Sequence, residues 1–447
     1  MNIRHELKTT IALALPMILT QLLGQIMPVI DTIMAGRETP QVLASVALGA
    51  QIFSFVFLFM LGIALVITTN ISKYHGANDT LRIRRSFQQG VWLTALLGIL
   101  TTVLTLCAAY LPRLIGSAPD IEAGARAYLL TVAPGGGVFV FALAARYFLE
   151  GMSYPRTGVI IQICLIPVNI IGNYLLLKGF WIVPPLGAVG MAISTALCGF
   201  LYAIAIFHAT WRNPRWQPYR LYTRFAAPDI GELKTYVRIG LPIALGIIME
   251  AGLFIGVSLI VSRSDAIYTG ANQIALNYGG LSFMIPLGLA SALTIRIGNA
   301  NGSKDYVALR QRAIGGLYLT AVIMIFAALV IFLFPRAIIG LYTNNADIIP
   351  IAVNILFIVG IFQFVDGIQV CAAGILRGMQ DTKAPMYYAL IGYWIIGFPC
   401  GLLLAYGFGY GIYGLWGGIV AGLTCNAILG VRRVLKITRP PATPQPL

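Results

Sequence analysis

Twelve apolar runs of 19 or more residues, parted by short polar stretches, organise this chain. They lie near residues 11–34, 43–71, 87–111, 127–149, 158–177, 186–209, 239–261, 269–295, 314–334, 349–376, 387–405 and 413–431. At 1.5 Å of rise per residue each crosses a hydrocarbon core about 30 Å thick as a helix. They are too long and too evenly apolar for barrel strands, which alternate in polarity over about ten residues. The pattern predicts an all-α polytopic membrane protein with twelve transmembrane helices. The apolar run after Met1–Lys8 is too long for the core of a cleavable leader, so it is expected to stay as the first span.

The polar stretches divide the chain further. The longest connection carries Trp211-Arg212-Asn213-Pro214-Arg215-Trp216 and later Pro228-Asp229, and falls between spans six and seven. Around it the sequence repeats. Glu6-Leu7-Lys8-Thr9 with Leu15-Pro16 matches Glu232-Leu233-Lys234-Thr235 with Leu241-Pro242 at an offset of 226. The same offset pairs Gly62 with Gly288, Thr68 with Thr294, Gly76 with Gly302, Asp79 with Asp305, Arg84 with Arg310 and Gly90 with Gly316, and an offset of 227 pairs Gly151-Met152 with Gly378-Met379. The expected organisation is an N-terminal six-helix bundle over 1–210, a linker over 211–238, a C-terminal bundle over 239–431 and a basic tail over 432–447. Six is an even number of crossings, so the halves share an orientation and form a parallel repeat about an axis along the membrane normal.

Composition sharpens this picture. Only 10% of the 447 residues are charged, against about a quarter in soluble domains, too few to clothe a water-facing surface. The net charge of +15 does not point to nucleic acid, because the bases sit in short loops between spans and do not interleave with stacking aromatics. Connections on one side of the membrane hold 23 Lys and Arg, and those on the other hold six. That asymmetry places both termini in the cytoplasm. The six cysteines all fall in apolar runs with no CxxC, and there are three histidines, so a zinc or redox centre is not expected. No Walker A, HExxH or GxSxG motif is present, and no cofactor is expected.

Candidate chemistry lies where polar groups enter apolar runs. Of the fifteen acids, Asp31, Glu250 and Asp366 fall within spans, where an ionised acid costs about 2.5–3.5 kcal/mol on insertion scales. Gln363, Asp366 and Gln369 follow one helix face, and Gln273 with Asn277 share another. Together with Glu250 they predict a polar pocket in the C-terminal half. Two carboxylates in a low-dielectric site cannot both ionise cheaply, so either a cation sits between them or one holds a proton. The N-terminal half has Asp31, a Gln21–Gln25 face and an Asn169–Asn173 pair, with a helix kink expected at Pro28. The acids are not repeated, since Asp31 maps to Val257 and Glu250 to Gly24.

Asp31-Thr32 with Met34-Ala35-Gly36, Met249-Glu250-Ala251, Phe283-Met284-Ile285-Pro286 with Gly288, and Asp366 with Gln369 and Leu376-Arg377-Gly378 resemble the multidrug and toxic compound extrusion (MATE) family over essentially the whole chain, with the bacterial NorM branch the nearest match. The resemblance implies two six-helix bundles forming a V around a central cavity. It implies a secondary transporter, not an enzyme, that acts as a monomer in membrane lipid and exports cationic amphipathic small molecules in exchange for Na⁺ or H⁺. It places the coupling cation at Glu250 and Asp366, as metal ligands if the ion is Na⁺, with Gln273 and Asn277 nearby. It places substrate or proton handling at Asp31, Asn169 and Asn173, to which Gln25 and Phe283 are added. Phe283 stands where some members carry a Tyr, so one hydroxyl ligand is missing. A lipid-linked precursor flippase of the wider superfamily is the alternative; it should hold pyrophosphate with intramembrane bases, and Arg146 is the only clear one.

Overall fold

The computed structural model describes residues 3–179 and 184–439. Twelve helices in it are long and apolar enough to cross a membrane: α1 (Ile3–Gly36), α2 (Pro40–Gly76), α3 (Thr80–Leu114), α4 (Pro119–Gly151), α5 (Arg156–Lys178), α6 (Gly187–Arg212), α7 (Ile230–Val261), α8 (Ala266–Gly302), α9 (Tyr306–Leu333), α10 (Ile348–Gly378), α11 (Lys383–Gly407) and α12 (Gly411–Ile437). Each apolar run of the sequence matches one of them to within a residue, and there is no strand among the described residues. The expected basic tail splits: Arg432–Ile437 continue α12, and residues 440–447 lie outside the described region. Helix α1 runs through Pro28 uninterrupted.

The repeat extends to the turns. Asp79 caps α3, its carboxylate accepting from Arg82 N at 2.9 Å, and Asp305 caps α9 through Ala308 N at 2.9 Å. The residue before each cap is left-handed, Asn78 at φ 53° and Lys304 at φ 58°. Ser153 (φ 60°) and Gln380 (φ 62°) stand 227 residues apart in the same conformation, each just past the end of a matching helix. Lys304 takes a backbone shape unusual for its type; the repeat has kept the turn and not the residue.

The chain forms two compact units, and they do not part at the 211–238 connection. One is Leu22–Ala244; the other is Met1–Gln21 with Leu245–Leu447. Helices α1 and α7 therefore each begin in one unit and end in the other. Matching close approaches account for this. A Cβ on Gly62 would lie 2.5 Å from Ala244 Cα, and a Cβ on Gly288 would lie 2.5 Å from Ile18 Cα. Gly62 and Gly288 are repeat partners, as are Ile18 and Ala244, so the start of α7 packs on α2 by the same contact that seats the start of α1 on α8.

Ion pairs anchor the same two ends. Glu6 on α1 is buried against Arg296 of α8 and Arg312 of α9; its carboxylate pairs with the Arg296 guanidinium and takes a 3.0 Å bond from Arg312. Its repeat partner Glu232 on α7 pairs with Arg85 of α3 at 2.6 Å, near the surface. The 211–238 connection is strapped onto α3: Gln88 Nε2 donates to Leu221 O (2.9 Å), Gln89 Nε2 to Ala227 O (2.9 Å), and Asp229 N donates to Gln89 Oε1 (2.8 Å).

Candidate ion and substrate sites

In the unit formed by residues 1–21 and 245–447, four helices converge on one polar cluster. α7 brings Glu250, half-buried; α10 brings Asp366, which is 2% exposed, and Gln369; α12 brings Asn426; α11 brings Tyr393. The Gln369 amide nitrogen donates to Asp366 Oδ1 (3.4 Å) and Glu250 Oε2 (3.5 Å), while its oxygen accepts from Asn426 Nδ2 (3.2 Å). Both acids therefore meet one –NH₂ group although they sit on different helices. Gln363, one turn before Asp366, donates instead to Gly279 O at 3.4 Å. The donor set of carboxylate oxygens suits a proton or a hard monovalent cation and not a soft metal. Among the described residues no three His, Cys, Asp or Glu side chains gather as metal ligands, and all six cysteines are free thiols.

α11 reaches this cluster through an irregular backbone. Leu390–Gly397 and Leu403–Gly407 are wound as π-helix, a form common at functional positions. The helix lies tight on α12, where Gly418 leaves no room for a Cβ against the backbone of Gly401. Trp394 holds α11 to α7, its Nε1 donating to Met249 O at 3.2 Å, one residue before Glu250.

The other sequence-predicted members of this pocket lie elsewhere. Gln273 and Asn277 are exposed and make no hydrogen bond to the acids. The buried amide of α8 is Asn272, which accepts from Trp416 Nε1 at 3.0 Å. Phe283 is half-buried and packs on the apolar cluster of α1, α8 and α10 that includes Met17, Leu289 and Val370.

In the unit 22–244, Asp31 of α1 is buried. Asn173 Nδ2 on α5 donates to its Oδ1 at 2.6 Å and is 3.4 Å from Asn169 Oδ1; Thr195 on α6 donates to its Oδ2 at 3.4 Å. Asn169 Nδ2 and Asn173 Oδ1 are buried without partners, so this site has unused polar capacity. Asp31, Asn169 and Asn173 are brought together as the sequence predicts, whereas Gln25 is exposed. Thr195 carries no sequence signal that singles it out. Arg146 is paired with the buried Glu150 on the same helix at 2.8 Å. Glu150 lies just past the fourth apolar run, and its i, i+4 spacing from Arg146 marks the pair. That pairing leaves the Arg146 guanidinium matched by a carboxylate, as Arg296 is by Glu6, so neither offers a free base for a pyrophosphate.

The MatE family model matches this chain twice, over residues 16–175 and 242–403, and the two segments begin 226 residues apart, the offset of the internal repeat. A probable multidrug resistance protein NorM of Xanthomonas campestris pv. campestris is 35% identical over 425 residues, covering 95% of this chain and 93% of that protein. A protein of the same description from Rhizobium meliloti is 33% identical over 439 residues, covering 97% and 94%. A crystal structure of MATE in the bent conformation shares the fold at a TM-score of 0.88 and 20% identity, over 98% of both chains. With two acids gathered in a helical bundle, the repeat matched segment for segment and the likeness running nearly end to end, this multi-pass membrane protein belongs to the MatE family of transporters.

Proposed function

We propose that this chain exports cationic amphipathic small molecules across the bacterial inner membrane by antiport with Na⁺ or H⁺, and that Glu250 and Asp366 bind the coupling ion. The observation that supports this most directly is the convergence of two membrane-embedded acids from α7 and α10 on the single amide of Gln369. A carboxylate pair in such surroundings holds a proton or a cation. Loading it changes the charge between two helices and so biases their arrangement. If ion and drug favour opposite arrangements, exchange follows. The Asp31–Asn173 cluster, with its spare amide groups, is the reading for substrate or proton handling in the other unit. The names of the relatives, multidrug resistance proteins, agree with this substrate class. The excess of bases in alternate connections supports cytoplasmic termini, and the protein is read as acting as a monomer.

Dye efflux from proteoliposomes under imposed Na⁺ or pH gradients tests the proposal. Glu250→Gln and Asp366→Asn are expected to abolish gradient-driven efflux while the dye still binds. Efflux at the wild-type rate in either variant, at equal reconstituted protein, removes the pair as the coupling site.

A further inference from the structure

The amide of Gln369 offers the two acids N–H groups only, because its oxygen is taken by Asn426. Phe283 offers no hydroxyl. A cation between Glu250 and Asp366 therefore has the carboxylate oxygens and needs another oxygen from elsewhere. One such oxygen lies in the cluster on α11. The Tyr393 side chain is 1% exposed, and its hydroxyl is turned to the Glu250 carboxylate and the Asn426 amide without closing a well-formed hydrogen bond to either. A buried hydroxyl left in that state is a cost that Phe would not carry.

The backbone explains how it arrives there. Within Leu390–Gly397 the inward positions are Gly392, Tyr393 and Gly397, while Leu390, Ile391, Trp394, Ile395 and Ile396 face outward. This π-helical stretch holds Tyr393 inward as its one hydroxyl. The two glycines beside it let α11 lie against α12, with a Cβ on Gly392 meeting Gly422 O at 2.6 Å. The chargeable groups around the cluster are Glu250 from α7, Asp366, Cys371 and Arg377 from α10, and Tyr393 itself; α12 brings the neutral Asn426.

We propose that Tyr393 is an ion-binding residue of the transporter: its hydroxyl oxygen completes, with the Glu250 and Asp366 carboxylates, the oxygen set that takes the monovalent coupling cation. Na⁺ is ligated directly by the hydroxyl lone pair; a proton on either carboxyl is donated into the same oxygen. The assignment rests on the coupling role given to the acid pair above.

Tyr393→Phe keeps the ring and its packing and removes only the oxygen. Reconstituted protein is assayed in two arms, a Na⁺ gradient at equal pH and a pH gradient without Na⁺, with Glu250→Gln run in parallel and dye affinity measured by fluorescence anisotropy. In whichever arm drives wild-type efflux, the Phe variant is expected to need about tenfold or more ion for half-maximal rate, in the range seen when a supporting group of an ion site is removed, with dye affinity unchanged. For a proton this is a shift of the alkaline limb by about one pH unit or more. Wild-type ion dependence in Tyr393→Phe, alongside an inert Glu250→Gln, overturns the role of Tyr393 alone; wild-type efflux in Glu250→Gln overturns the acid pair as well. If the Phe variant loses dye binding, 3-fluorotyrosine introduced at position 393 reads the same quantity. It keeps the hydroxyl and lowers its basicity, and an unchanged half-saturating ion concentration there also overturns the proposal.

Discussion

Glu6 and Glu232 occupy the same place in the repeat, yet removing their charges should have unequal consequences. In the Glu6 cluster the Arg296 side chain is 7% exposed and the Glu6 side chain 10%. Glu6→Gln leaves the Arg296 guanidinium buried without its counter-charge, a loss of about 3–5 kcal/mol for a pair of this kind. Arg296 retains bonds to the Glu6 backbone carbonyl and to the Thr10 hydroxyl, which places the expected loss at the lower end of that range. In the other cluster the Arg85 side chain is 53% exposed, and Glu232→Gln should cost about 1 kcal/mol or less because water takes over the guanidinium. Thermal unfolding of each variant in the same detergent, followed by intrinsic fluorescence, reads the difference. Glu6→Gln should melt clearly below wild type and Glu232→Gln close to it. Adding Arg296→Met to Glu6→Gln should return much of the loss, since the stranded charge is then gone. If the two single variants melt together, or if the second substitution deepens the loss, burial of the pair is not what sets its worth.

Two further outcomes are expected. Gly62→Leu and Gly288→Leu should each prevent accumulation of folded protein in the membrane, since a Cβ at either would meet backbone at 2.5 Å, while Gly24→Ala, with nothing within 4 Å, should express normally. The carboxyl of Asp229 is held below its ordinary value by the backbone N–H groups of Glu232 and Gly231 and by Arg85. Its contribution is thus present at neutral pH and lost as pH falls from the ordinary carboxylate value through the lowered folded one; Asp229→Ala should lower the amide-exchange protection factors over 221–229 at pH 7, and acidification should lower them in wild type once the slower intrinsic exchange at low pH is divided out.

The helices and the acids were legible for the same reason: lipid leaves no choice about either. A run of apolar residues long enough to span must be helical, and a carboxylate inside it is costly enough to mark a function. Which way a helix face turns was not legible. Gln273 and Asn277 define a stripe correctly, but spacing cannot say whether that stripe faces inward; the inward amide is Asn272, about 100° round the helix. Tyr393 stands in an evenly apolar run, where a single tyrosine carries no signal that separates a ligand from a packing residue. Arg296 directly follows the eighth apolar run and so reads as a loop base, while its burial depends on Glu6, 290 positions away in the chain.

The crossing of α1 and α7 from one unit to the other bears on how such a chain arose. A single six-span half carries a first helix whose opening turns have their partners in the sequence of the other half: Glu6 with Arg312, Ile18 against Gly288, Ala244 against Gly62. Translated alone, that half would leave a vacant groove on its second helix and an unseated end on its first. Two copies can resolve both by exchanging first helices, which is the geometry of a swapped dimer. Carrying both halves in one chain makes that exchange intramolecular, with the 211–238 connection joining them. Cutting the chain there and expressing both pieces together should still assemble a transporter, whereas either piece by itself has no closed fold to reach.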